Sequence, residues 1–159
     1  MDKINWCIST DNGIQLSEPS MDLAQAYLLK SEIAIHTVSE VSDKAWKMTA
    51  AYYSLYFSVY AVMARIGIRC EIHDCTIEFV KHFLKDYYSP EDVALIVAAK
   101  NMRIDAQYHV GRYIDEELYG RIIERIDSFC EESEETVKNI TKADASRIRS
   151  ALRLFACLK

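Results

Sequence analysis

Apolar residues recur at helical spacing along most of the chain, and only four glycines and two prolines interrupt them. A sequence with so few turn residues favours long helices over a sandwich or barrel of short strands. We therefore predict an all-α fold, an antiparallel bundle of four to five long helices with short loops and an extra C-terminal helix. The helices are predicted to begin near Ser20, Ser42–Asp43, His73, Ser89–Pro90, Asp115 and Lys142.

The second of these helices is predicted to be the centre of the bundle, because it is apolar on nearly all sides. It runs to Gly67, a residue type that commonly ends helices in the left-handed conformation. The third helix is predicted to end at about Tyr87, the fourth to run toward Gly111, and the last to end at Leu158.

The first nineteen residues differ from the rest. Residues 4–8 alternate between apolar and polar side chains, and Asp11-Asn12-Gly13 is a turn signal. We expect a small hairpin or an extended arm packed on the helical body. The chain is accordingly divided into an N-terminal arm (1–19), a helical bundle (20–140) and a basic C-terminal helix on or beside the bundle (141–159).

Composition and charge narrow the possible functions. At 159 residues and 50% apolar, the chain is long enough for one domain with a substantial core. The net charge of -5 provides no global attraction for nucleic acid, so such contact requires a local patch. Residues 115–135 are strongly acidic and 142–159 are basic, and we interpret them as a solvated acidic face and a basic helix that docks on it or on a partner.

The five cysteines are an odd number, and no apolar leader opens the chain. This combination predicts five free thiols in a reducing compartment, the cytoplasm. The longest uncharged stretch, residues 48–64, is 17 residues long. A membrane span needs about 20, so we interpret this stretch as a buried helix and predict no membrane association.

Metal and cofactor chemistry has little support in the sequence. Cys70, His73 and Cys75 are of metal-ligand type, but no second cysteine pair completes a structural zinc site. We expect buried thiols beside a loop histidine. No phosphate-binding glycine loop or metalloprotease motif occurs, and we predict no metal and no cofactor.

The segment from Arg103 to His109 carries candidate chemistry. A guanidinium binds phosphate through two parallel hydrogen bonds, and imidazole suits proton transfer near neutral pH. Together they can cleave RNA without a metal, since one group takes the 2′-hydroxyl proton while the other stabilises charge on the phosphate. The alternative is structural: a salt bridge from Arg103 to Asp105 or Glu116, with His109 as a polar residue at a helix end.

Two motifs are informative. Residues 51–57 are followed by an apolar helix to Gly67 and then by His73, and this pattern resembles the second helix of HEPN domains. Arg103-x2-Ala106-Gln107-Tyr108 resembles the R-x-x-A-D-Y signature of one subfamily, and the spacing from Arg103 to His109 fits the R-x(4–6)-H motif of HEPN ribonucleases. The resemblance extends over about residues 23–138.

The resemblance implies a helical bundle that often forms a homodimer, with the Arg-His motifs of two protomers at the interface. It implies a metal-independent endoribonuclease of toxin type that acts on RNA. The alternative is a non-catalytic module that binds nucleotides or protein and partners a nucleotidyltransferase. For the ribonuclease, the resemblance implies Arg103 and His109 as the candidate catalytic residues. The candidate substrate-binding residues are Tyr108, Gln107 and Tyr53.

Two features complicate this assignment. Gln107 replaces the aspartate of the signature, so the carboxylate that orients the arginine is missing unless Asp105 substitutes for it. Residues six apart on a helix also differ by about 120° in direction. Arg103 and His109 meet only if the helix end distorts, the arginine curls round, or a second protomer supplies one of them.

Overall fold

The computed structural model describes residues 2–109, 111 and 113–157, which form helices and one small sheet. The helices confirm the all-α prediction. Two short strands, β1 (Gln15–Leu16) and β2 (Ile68–Arg69), pair antiparallel. The helices are α1 (Lys3–Ser9), α2 (Met21–Glu40), α3 (Lys44–Ile66), α4 (His73–Phe83), α5 (Pro90–Tyr108), α6 (Glu116–Asn139) and α7 (Lys142–Cys157).

Side-chain caps set the starts of the long helices. Ser20, Asp43, Ser89 and Asp115 each accept a hydrogen bond from the backbone N–H three residues further on. Such caps satisfy N–H groups that have no partner within the helix. The four helix starts predicted from these residues are therefore confirmed.

Helix α3 is the centre of the core, as predicted, and packs against α2, α5 and α6. It ends at Gly67, whose φ of 86° is in the left-handed region. At this corner Arg149 of α7 donates hydrogen bonds to the carbonyl oxygens of Ser17 (2.6 Å) and Gly67 (2.5 Å). None of the helices in the described part of the chain is long and apolar enough to cross a bilayer.

The N-terminal arm differs from the predicted hairpin. Its first residues form helix α1, and β1 pairs with β2 after the central helix rather than with a strand of the arm. Ile4 and Cys7 are both fully buried and lie three residues apart, so the apolar spacing of this segment is helical. The alternation over residues 4–8 was too short to distinguish the two periods.

The prediction of five free thiols is wrong. Cys7 of α1 and Cys75 of α4 form a disulfide across a sequence separation of 68 residues. Cys70 and Cys130 are buried free thiols, and Cys157 is exposed. Nothing in the local sequence indicates the pair, because only the packing of α1 on α4 brings the two sulfurs together.

Helix α4 is shorter than predicted, because its backbone leaves the helical conformation at Leu84 (φ -116°, ψ 25°). The amides of Tyr87 and Tyr88 both donate to the Leu84 carbonyl in a turn that buries Tyr88. Those tyrosines continue the apolar pattern and so extended the predicted helix. The predicted end of the last helix at Leu158 lies outside the described residues.

Candidate functional site

All of the candidate residues except His109 lie where α5 packs antiparallel against the N-terminal half of α3. Arg103 and Gln107 are one helical turn apart on α5, and so are Thr49 and Tyr53 on α3. Arg103 contacts Tyr53, while Gln107 contacts Thr49. Two successive polar contacts therefore link the two helices.

Arg103 is held by aromatic side chains and not by a carboxylate. Its Nη1 donates to the Tyr53 hydroxyl at 3.2 Å, and its guanidinium carbon lies 5.0 Å from the centre of the Tyr52 ring. Cation–π contacts of this kind stabilise a guanidinium without neutralising it. Within the described residues Arg103 forms no ion pair, and the alternative partner Glu116 pairs instead with Lys44 at 2.7 Å.

The three guanidinium nitrogens of Arg103 have different surroundings. Nη1 is bonded to Tyr53, whereas Nε is buried without a hydrogen-bond partner. Nη2 makes no hydrogen bond to a described residue, and Arg103 as a whole is partly exposed. An anion approaching from solvent can therefore bind through Nη2.

A second histidine, His73, lies beside the arginine. The Tyr52 hydroxyl and His73 Nδ1 share a hydrogen bond of 2.5 Å, and the His73 ring stacks on Tyr56 with centroids 4.3 Å apart. Burial lowers the pKa of His73, and the positive charges of Arg103 and Lys100 lower it further. Burial also raises the pKa of Tyr52, so its hydroxyl stays protonated.

The N-terminal end of α4, beside this cluster, carries one aspartate that pairs with two lysines. Asp74 pairs with Lys100 of α5 and, at 3.1 Å, with Lys3 of α1. The Lys100 and Lys3 ammonium groups lower the pKa of Asp74, against the opposing effect of its partial burial. One carboxylate thus serves two lysines, and the group as a whole remains positive.

Gln107 and Tyr108 lie at the C-terminal end of α5, beside the start of α3. Gln107 Nε2 donates to Thr49 Oγ1 at 3.3 Å, and Tyr108 is 73% exposed. Both residues line a cavity of about 440 Å³, together with Ala45, Trp46, Thr49 and Ala106. The amide of Gln107 therefore occupies the place of the signature carboxylate but contacts a hydroxyl, not Arg103.

His109 follows the last residue of α5 and has different neighbours. Its Nε2 lies 3.9 Å from Asp105 Oδ1, and it lines an 860 Å³ cavity formed by α5, the following turn and the start of α6. Arg103, by contrast, packs against the α3 tyrosines. Within one chain, the side chains of Arg103 and His109 therefore lie on different sides of α5 and have different neighbours.

Sequence reasoning missed several neighbours of these residues as parts of a site. The assignment of Tyr52 to the core is confirmed, but its contact with Arg103 was not predicted. His73 was considered only as a metal ligand or landmark, and Trp46 was not considered. Cys75 is bonded to Cys7, and no group of three metal-ligating side chains occurs among the described residues. The heptad-like spacing of Thr49, Tyr52 and Tyr53 on one helix face was the available signal.

The protein is therefore an all-helical bundle with an arginine and a histidine near the C-terminal end of α5. A family model described as the HEPN domain matches residues 24–140 of the chain. The chain therefore belongs to the HEPN family. No curated protein matches it.

Proposed function

We propose that the protein binds RNA and cleaves it as a metal-independent endoribonuclease. The observation that carries this proposal is the state of Arg103: a positioned guanidinium on a partly exposed residue, with no carboxylate partner among the described residues. A phosphodiester supplies the negative charge that this guanidinium lacks, and arginine binds phosphate with directional hydrogen bonds.

His109 is the proposed acid–base group. It accepts the proton of the ribose 2′-hydroxyl, and the 2′-oxygen then attacks the adjacent phosphorus. Arg103 stabilises the charge that develops on the phosphate oxygens. The bond to the 5′-oxygen breaks, that oxygen takes a proton from water, and the products carry a 2′,3′-cyclic phosphate and a 5′-hydroxyl.

The separation of Arg103 and His109 on α5 supports a homodimeric site. Since the two side chains contact different surfaces of their own chain, we propose that Arg103 of one copy acts with His109 of a second copy. Light scattering should then give about twice the 18.3 kDa of one chain. A mass of one chain at micromolar concentration contradicts the two-copy site.

A second candidate function rests on α6. Near its C-terminal end this helix exposes a cluster of four glutamates: Glu131, Glu132, Glu134 and Glu135. This surface repels an RNA backbone and favours a protein partner with a basic surface. The alternative is therefore a non-catalytic module that binds a protein such as a nucleotidyltransferase. RNA cleavage tested with EDTA present distinguishes the two, because only the first candidate predicts products.

Cleavage by variants tests the roles of the residues. His109→Ala should lower the rate by about 10²–10⁴, the usual contribution of a positioned acid–base group. Arg103→Lys should also be severely impaired, because an ammonium lacks the planar arrangement of donors. His109→Ala should keep the wild-type melting temperature, so that a loss of folding is not mistaken for a loss of chemistry.

The proposed substrate also bears on location. RNA is abundant in the cytoplasm, and we keep the cytoplasm as the proposed location. Disulfides are rare there in most organisms. A Cys7–Cys75 disulfide in the cell would therefore count against this location. Alkylation of thiols in freshly lysed cells, followed by mass analysis, measures this directly.

A further inference from the structure

We propose that the cavity at the start of α3 is a base-stacking subsite for one unpaired nucleotide of single-stranded RNA. The subsite consists of Trp46, Thr49, Gln107 and Tyr108. This inference rests on the proposed function, since it places a base beside the phosphate that Arg103 binds.

Two exposed aromatic side chains line this cavity. Trp46 is 63% exposed and Tyr108 is 73% exposed, although both residues are large enough to bury much apolar surface. Aromatic rings at the surface are the usual platforms for unpaired bases, and a stacked base restores the apolar contact that each ring lacks. Neither side chain is needed to complete the core of the bundle.

The polar pair in the cavity provides contacts for the edge of a base. Gln107 Nε2 uses one N–H to bond Thr49 Oγ1, so the amide retains a second N–H and its carbonyl oxygen. A primary amide with one donor and one acceptor side by side matches the hydrogen-bonding edge of a nucleobase. An aspartate at this position would offer only acceptors.

The position relative to Arg103 fits a single nucleotide. Arg103 and Gln107 are four residues, about one helical turn, apart on the same face of α5, which is about 6 Å along the axis. The ribose separates a phosphate from its own base by a comparable distance. A nucleotide whose phosphate contacts Arg103 Nη2 can therefore reach the cavity with its base.

The chain has two tryptophans, which provides a matched pair for the test. Trp46→Ala and the control Trp6→Ala each remove one indole, and Trp6 is also exposed, at 45%, on α1. The probe is an eight-nucleotide single-stranded RNA of mixed sequence with 2′-O-methyl groups, which block cleavage. Binding is measured by fluorescence anisotropy, with circular dichroism to check that each variant is folded.

We expect Trp46→Ala and Tyr108→Ala each to weaken binding about 5- to 100-fold. Tyr108→Phe should retain most of the affinity because it keeps the ring, and Trp6→Ala should bind like the wild type. The same RNA annealed to its complement should bind more weakly to the wild type than the single strand does.

Two results overturn the subsite. One is RNA binding by the wild type that is unaffected by Trp46→Ala and Tyr108→Ala, which leaves the proposed function intact. The other is protection of Trp46 from acrylamide quenching in the absence of RNA, measured in a Trp6→Phe protein so that only Trp46 fluoresces. Such protection means that a second copy of the chain covers the indole. If the wild type binds no RNA at all, the proposed function fails together with the subsite.

Discussion

The disulfide between Cys7 and Cys75 leads to a quantitative prediction about stability. It closes a loop with a sequence separation of 68 residues, which includes all of α2 and α3. Cross-linking so long a segment restricts the unfolded chain, and the loop-entropy relation gives about 4 kcal/mol at 25 °C. Reduction should lower the free energy of unfolding by an amount approaching this value.

Urea unfolding of the oxidised and the reduced protein measures the difference on the same chain. With a urea slope of about 2 kcal/mol per molar, 4 kcal/mol corresponds to a midpoint shift of roughly 2 M. Cys157→Ser should be used in both samples, because this exposed thiol otherwise permits cross-linking between chains. In that background, thiol titration in denaturant should count two free thiols before reduction and four after it. Coincident midpoints, or four thiols without reductant, would refute the reasoning.

Two further predictions concern stability. Gly67→Ala should lower the free energy of unfolding by at least about 1–2 kcal/mol, because Gly67 has a φ of 86° and a Cβ would lie 2.7 Å from the Ser17 carbonyl oxygen. The control Gly120→Ala, in an open part of α6, should raise the free energy of unfolding by about 0.5–1 kcal/mol. Urea melts in which both variants match the wild type contradict this account. Because the folded-state pKa of His73 lies below its ordinary 6.5, the unfolded chain takes up the proton first, and stability should fall as pH drops below 6.5. His73→Gln should reduce this slope between about pH 7 and 5, and equal slopes in the two proteins count against it.

Much of the fold could be predicted because local signals determine it. Ser20, Asp43, Ser89 and Asp115 are strong helix caps, and Gly67 ends the central helix in the left-handed conformation. Each signal acts through a hydrogen bond or a φ angle within a few residues. The division into an arm (1–19), a bundle (20–140) and a C-terminal helix (141–159) stays a prediction.

The errors arose where distant parts of the chain decide the structure. The pairing of Cys7 with Cys75 and of β1 with β2 depends on the packing of the arm against α4 and the end of α3. Helix α4 ended early because a turn at Leu84 buries Tyr88. Apolar periodicity reports burial, and burial alone does not distinguish a helix from a packed turn.

The candidate site shows the same division. Arg103 and His109 were identified from their chemistry and their order along the chain, Gln107 and Tyr108 from the resemblance to the HEPN signature, and their roles stay predictions. Contacts across helices were not accessible from that order, and they include the Tyr53 hydroxyl on Arg103 and the position of His73 beside it. The difference of about 120° between residues six apart did predict that the pair would have different neighbours.

The most direct test of the central claim is RNA cleavage by a mixture of two inactive variants, Arg103→Ala and His109→Ala, in EDTA. If each site combines Arg103 of one copy with His109 of another, half of the randomly mixed dimers contain one intact site of their two. The mixture should then recover about a quarter of the wild-type rate, while each variant alone stays inactive. No cleavage by the wild type, or no recovery in the mixture, would contradict the account.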